Sequence, residues 1–261
     1  MPFTISHAAG VLPFARFLGR WRVLSALVIG SMAPDFGLFL PWQLPRFETH
    51  SAAALLTFSL PAGLIVYWIF QRLIKTPLRQ VLPDDAYDRS LRYAPIADIA
   101  SARQWLIAAC GVLIGAVTHL VWDAFTHEGA RGVRMLPAID EWFVDVAGHE
   151  LAGPRFLQDL SSLLGLIVVA WFLWRSLRNQ GTPLAAPRRL QASERRFWRW
   201  AYALTAIAVV AADLMLTRWT DSHPLGITHS AGDAAIASLR GLAASLFCVS
   251  LCLDIRLRVR P

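Results

Sequence analysis

The chain has 261 residues, 56% of them hydrophobic and only 16% charged, against ~25% charged in an average soluble domain, so an ordinary water-soluble fold is excluded. Lysine and arginine outnumber aspartate and glutamate 25 to 18, a formal charge of +7. The arginines gather in alternate connections between apolar runs and form no basic stripe with interleaved aromatics, which excludes nucleic acid as a partner.

In chain order, the opening M-P-F-T-I-S-H has no basic region ahead of an apolar stretch and no small-residue cleavage site, so no removable signal peptide is expected. Arg16, Arg20 and Arg22 mark a turn on the cytoplasmic side, and His7 and Asp35 are each 14 residues from Trp21. Two helices of that length reach only ~21 Å, too short to cross a bilayer. The apolar run at 23–42 is broken at Ala33-Pro34-Asp35, where proline ends or kinks a helix and frees backbone groups. The pattern predicts a re-entrant helical hairpin that carries His7 and Asp35 to one depth on the outer side.

Full spans are predicted at about 52–71, 104–126, 157–174, 199–217 and 233–253. Trp68, Trp105, Trp122, Trp171, Trp174, Trp198, Trp200 and Trp219 lie near their ends, as interfacial anchors do. The connection at 72–103 carries Arg72, Lys75, Arg79, Arg89, Arg92 and Arg103, and that at 175–199 carries Arg175, Arg178, Arg188, Arg189, Arg195, Arg196 and Arg199. These loops and the tail with Arg256, Arg258 and Arg260 are expected on the cytoplasmic side, the remaining loops outside. R-R-L-Q-A-S-E-R-R-F-W-R-W, from Arg188, is expected along the inner surface near anionic lipid. Cys110, Cys248 and Cys252 lie in apolar runs without a C-x-x-C pair and read as buried, inert thiols. Asp213 and Asp233 are placed at outer helix ends, whereas Arg240 falls inside the last span and needs a partner the sequence does not name.

The expected fold is an all-α polytopic bundle, five full spans plus the broken N-terminal hairpin. Residues 1–180 form a membrane core with the His/Asp motifs, and 181–261 a C-terminal helical pair of the same domain. No internal repeat, nucleophile elbow, phosphate-binding glycine loop or dinucleotide fingerprint is present.

The chemistry concentrates in T-H-L-V-W-D-A-F-T-H-E-G, Thr118 to Gly129. His119, Asp123 and His127 are spaced by four, so on a helix they form one stripe drifting by ~40° per step. Ionisable residues within a span are costly and mark function by default. His119 and Asp123 have the i, i+4 spacing that lets two side chains share a metal. His127 is ~12 Å along the axis from His119, too far for the same ion on a straight helix. It is left to bind a second ion, to contact substrate, to assist proton transfer, or to end the helix before Gly129. His50 opens the second segment from the outer side, so His7, Asp35, His50, His119 and Asp123 are expected at a similar level. Asp140, Glu141, Asp145, His149 and Glu150 read as a solvated acidic loop. His223 and His229, within T-D-S-H-P-L-G-I-T-H-S, read as loop residues.

The residues S-H at Ser6-His7, S-M-A-P-D-F at Ser31–Phe36, T-H-S at Thr49–Ser51 and T-H-L-V-W-D-A-F-T-H at Thr118–His127 resemble the bacterial inner-membrane family known as domain of unknown function 4184. More distantly they resemble the membrane-bound metal-dependent hydrolases, with their order His…Pro-Asp…Thr-His…His-x-x-x-Asp. The likeness covers about the first 180 residues. It implies a divalent metal, zinc by ligand type and one or two ions, held by His7, Asp35, His50, His119 and Asp123. It also implies hydrolysis of a phosphoester or related bond, with a lipid or lipid-linked substrate suited to an outward site at headgroup level. Two other readings stay open: an intramembrane polar pathway for transport or proton relay, and a structural polar cluster without chemistry.

Overall fold

A computed structural model describes residues 4–17, 24–40, 44–93, 96–146, 149–178, 189–220 and 227–259. The main helices are α1 (Ala8–Phe17), α2 (Leu24–Met32), α3 (Leu55–Val81), α4 (Asp84–Tyr93), α5 (Ala102–Thr126), α6 (Gly153–Arg178), α7 (Ala192–Thr220) and α8 (Ile227–Val259). Five of them, α3 and α5 to α8, contain stretches long and apolar enough to cross a membrane. The chain is an all-α, multi-pass membrane protein. Many large apolar side chains on these helices, among them Leu106, Ile167, Trp171, Leu204 and Phe247, are exposed and form a lipid-facing surface.

The chain divides into two compact units, one comprising Met1–Tyr67 and Ile99–Arg178, the other Trp68–Asp98 and Asn179–Pro261. In the first, α2 lies directly on α5. A Cβ on Gly30 would come within 2.3 Å of the Val112 carbonyl oxygen, and one on Gly115 within 2.3 Å of the Leu27 oxygen and 2.5 Å of the Ser31 nitrogen. Lipid offers no hydrophobic drive for helix pairing, so small residues that let backbones touch are the usual means. Gly115 is one turn before His119, and the contact sets Ser31 beside that histidine. The α-helical hydrogen bonding of α2 stops at Met32, and Pro34 starts a 3-10 helix, Ala33–Phe39, that carries Asp35. A second 3-10 turn, Thr4–His7, precedes α1. It lies so close to α6 that a Cβ on Gly165 would meet Ser6 at 2.8 Å.

The second unit packs α7 along α8 and closes around Val81, Leu190 and Leu253, with Leu78, Trp198, Tyr202 and Leu257 against them. Here the structure corrects several expectations. α3 continues to Val81 instead of stopping at 71, and Lys75 and Arg79, expected as loop charges, are buried. Gln71 Oε1 accepts from Lys75 Nζ at 3.0 Å and from the Ala97 amide at 3.2 Å, and Arg79 Nη2 donates to the Ser90 carbonyl at 3.0 Å. The cations stay in the helix because neighbouring backbone and amide groups receive their protons. The segment expected along the inner surface is continuous from Ala192 with the span that follows, as one helix. Arg240 finds Asp213 at 3.0 Å, which replaces the reading of that aspartate as a helix-end residue.

Two further corrections concern the acidic loop and the thiols. The acidic loop contains a two-stranded hairpin, β1 (Phe143–Val146) and β2 (His149–Ala152), pairing Asp145 with Glu150. Its β-branched Val144 and Val146 favour the extended chain over a helix. All three cysteines are exposed on helix faces, because an apolar run does not distinguish a lipid-facing position from a core position. Residues 20–22, Arg188 and His223 lie outside the described residues.

Candidate metal centre

His119 and Asp123 project from one face of α5 and are both buried. His119 Nδ1 lies 2.7 Å from the Ser31 carbonyl oxygen. A carbonyl only accepts, so Nδ1 carries a proton, and Nε2 is the ring atom turned toward the neighbouring carboxylates. His50 follows a single helical turn, Arg46–Thr49. The Thr49 hydroxyl donates to the Arg46 carbonyl at 3.4 Å and lies 2.7 Å from His50 Nδ1. A hydroxyl both donates and accepts, so the contact with Thr49 holds the His50 ring with Nε2 turned toward the same carboxylates.

The two Nε2 atoms face each other at 3.3 Å. Asp35 Oδ1 is 3.3 Å from His50 Nε2 and 3.7 Å from His119 Nε2. Asp123 Oδ2 is 3.6 Å from the first and 3.4 Å from the second. Donors bound to zinc at ~2.1 Å in a tetrahedral site stand ~3.4 Å apart, so these separations suit a shared ion. Thr4 Oγ1 donates to Asp35 Oδ2 at 2.8 Å, which leaves Oδ1 turned toward the imidazoles.

His7 stacks on His119, ring centroids 3.8 Å apart, and meets the edge of Trp122 at 5.5 Å. Trp122 in turn donates to Ser161 on α6 at 3.1 Å. His7 Nε2 is 3.4 Å from Asp123 Oδ1. Both nitrogens of His7 and Asp123 Oδ1 are buried without a hydrogen-bond partner among the described residues. Each orphan of this kind costs ~1–3 kcal/mol unless something else satisfies it. The donor set thus forms two overlapping groups, His7–His119–Asp123 and Asp35–His50–His119, each with ligand atoms within 4.8 Å of one another. Imidazole nitrogen and carboxylate oxygen are the ligand chemistry of zinc and related divalent ions.

All five residues expected to share a site meet here, brought together from the first 3-10 turn, the second, the Arg46–Thr49 turn and α5. His127 stands apart from the paired imidazoles. It caps α5, with Gly129 in the left-handed region just beyond (φ 66°), and its Nδ1 is 3.6 Å from Asp123 Oδ1. Burial pushes its imidazole down to about 4; Asp123 opposes that shift and Arg46 reinforces it. Asp140, Glu141, Asp145 and Glu150 are exposed and belong to neither group.

Sequence reasoning missed Thr4 and Arg46. Arg46 Nη2 lies 2.5 Å from Asp123 Oδ2, with its side chain 39% exposed against 5% for the aspartate. Its spacing of four from His50 was the available signal, but only once that stretch is known to be helical. Thr4 left no signal, because its partner Asp35 is 31 residues away.

The family model described as "Domain of unknown function (DUF4184)" matches residues 1–251. No curated protein and no solved structure matches the chain.

Proposed function

The chain belongs to the DUF4184 family, and from the geometry of its site we propose that it is a membrane-embedded, metal-dependent hydrolase of phosphoester or related bonds. The observation that carries this reading is the pair of facing Nε2 atoms, 3.3 Å apart, each turned inward by a hydrogen bond at its own Nδ1. With both rings neutral and protonated at Nδ1, two lone pairs at that distance repel each other, and a cation between them and the adjacent carboxylates removes the repulsion. A bound divalent ion supplies a lowered pKa for water and polarisation of a phosphoryl oxygen.

The residues divide the work. His50 and His119 offer nitrogen, Asp35 and Asp123 offer oxygen, and His7 adds a second nitrogen on the Asp123 side. Thr4, Thr49 and the Ser31 carbonyl fix which atoms point inward. His127, beside Asp123 and outside the helix, is the candidate to hold or return a proton at Nε2. The arginine-rich connections favour the bacterial inner membrane with the site toward its outer side, where a lipid or lipid-linked phosphoester is at hand.

A polar pathway is less well supported. From the site toward Gln104, the buried positions Ala116, Val112 and Ala108 on α5 are all apolar, so no chain of polar groups continues along that face. The test is phosphate release from a panel of lipid phosphoesters by zinc-supplemented protein. The hydrolase reading expects turnover that disappears in Asp123→Ala. No release from any phosphoester, together with proteoliposome flux that vanishes in Asp123→Asn, would replace it with the relay.

A further inference from the structure

We infer that Arg46 is an exchangeable cation of this site, holding Asp123 when no metal does and binding the phosphoryl oxygens of an anionic substrate once a metal is in place. The inference rests on the hydrolase reading above and adds the residue that selects the substrate class.

Three observations lead to it. First, Arg46 Nη2 sits 2.5 Å from Asp123 Oδ2, the same oxygen that lies 3.4 Å from His119 Nε2 and 3.6 Å from His50 Nε2. The guanidinium and an ion shared with the imidazoles compete for one atom. Second, the arginine is built to move while its backbone is not. Its carbonyl accepts from the His50 amide at 2.8 Å within a proline-capped turn, but its side chain is 39% exposed at the rim. Third, the charge at the site favours an anion. Asp35 and Asp123 neutralise one divalent ion, and among the described residues Arg46 has ion-pair contact with Asp123 alone. A loaded site therefore leaves one positive charge at its mouth, and a second ion would add to it.

The planar fork of arginine pairs with phosphate oxygens in a bidentate manner that lysine does not reproduce. The ligand class is thus a phosphate mono- or diester anion. Phe47, next to Arg46, and Leu56 are 76% and 63% exposed. Both would lie against lipid, so the phosphate is open either to a lipid headgroup or to a free anion.

The test uses chelator-stripped, detergent-purified full-length protein as wild type, Arg46→Gln and Arg46→Lys. Zinc is titrated calorimetrically, and inorganic phosphate or short-chain phosphatidic acid is then titrated into the zinc-loaded protein. Arg46→Gln is expected to bind zinc about tenfold more tightly, since a competitor is gone, and phosphate at least tenfold more weakly. Arg46→Lys is expected to keep the competition with zinc and lose most of the phosphate affinity. These opposite signs are the signature, because an arginine with a purely structural role would weaken both or change neither. Tighter binding of phosphatidic acid than of phosphate assigns a lipid headgroup; equal binding assigns the free anion. Unchanged or weaker zinc binding by Arg46→Gln, or unchanged phosphate affinity, overturns the inference while the metal site stands. No zinc uptake by wild type overturns the metal reading and this inference with it.

Discussion

Both units of the molecule bury polar groups in apolar helices, but they do so in opposite ways. Around the end of α3, donors meet acceptors. Gln71 takes protons from Lys75 and the Ala97 amide, Gln80 from the Leu190 amide, and Arg199 donates to the Val81 carbonyl. Around α5, two imidazole Nε2 atoms and two carboxylates converge, and both nitrogens of His7 and Asp123 Oδ1 have no hydrogen-bond partner among the described residues. The first arrangement completes most of its own bonds, with Arg79 Nε and Arg189 Nε left without a partner among the described residues, and it stabilises the fold. The second, on the reading proposed above, is completed by a cation, which would separate a ligand site from a polar core.

That contrast is open to attack at four places. Gly115→Leu should have the largest effect, because the new side chain meets the backbone of α2 and cannot be accommodated by rotamer changes. It should cost about 3 kcal/mol or more and abolish metal binding, read by thermal unfolding in detergent and zinc titration. Thr49→Val keeps the shape and removes the hydroxyl that holds His50 Nδ1. Zinc affinity should fall about 10–100-fold with little change in melting temperature; an unchanged affinity would show that the tautomer of His50 is set otherwise.

Gln71→Leu tests the other unit. It leaves the Ala97 amide without that acceptor, so stability should drop by about 1–3 kcal/mol while zinc binding stays at the wild-type level. His7→Phe has the smallest expected effect on folding. It preserves the stack between His119 and Trp122 and removes two unpartnered nitrogens. The metal-free protein should hold its stability or gain about 1 kcal/mol, with weaker zinc binding in the same variant. A loss of stability comparable to that of Gln71→Leu would mean that the His7 cluster is structural and that the two regions do not differ.

Much of this arrangement is legible in the sequence because it rests on local rules. The i, i+4 spacing put His119 and Asp123 on one face, and Pro34 announced the break that delivers Asp35 from a 3-10 turn. The two short arms flanking residues 18–23 were expected to be too short to cross, and the turns that carry His7 and Asp35 meet through the Thr4–Asp35 hydrogen bond. What was not legible depends on tertiary contact. Lys75 and Arg79 looked like loop charges because nothing local reveals that Gln71 and the Ser90 carbonyl receive them. Arg240 lacked a partner until α7 brought Asp213 alongside. Arg46 was passed over because its role depends on a carboxylate 77 residues away.

The most direct test of the central claim is the metal content, by mass spectrometry, of protein purified in mild detergent without chelator, beside a His119→Ala, Asp123→Ala double variant. Stoichiometric divalent metal in the wild type and its loss in a variant that still folds is the predicted result. Equal and negligible metal in both would contradict it, and would leave the convergent acceptors as a protonated polar cluster with no bound ion.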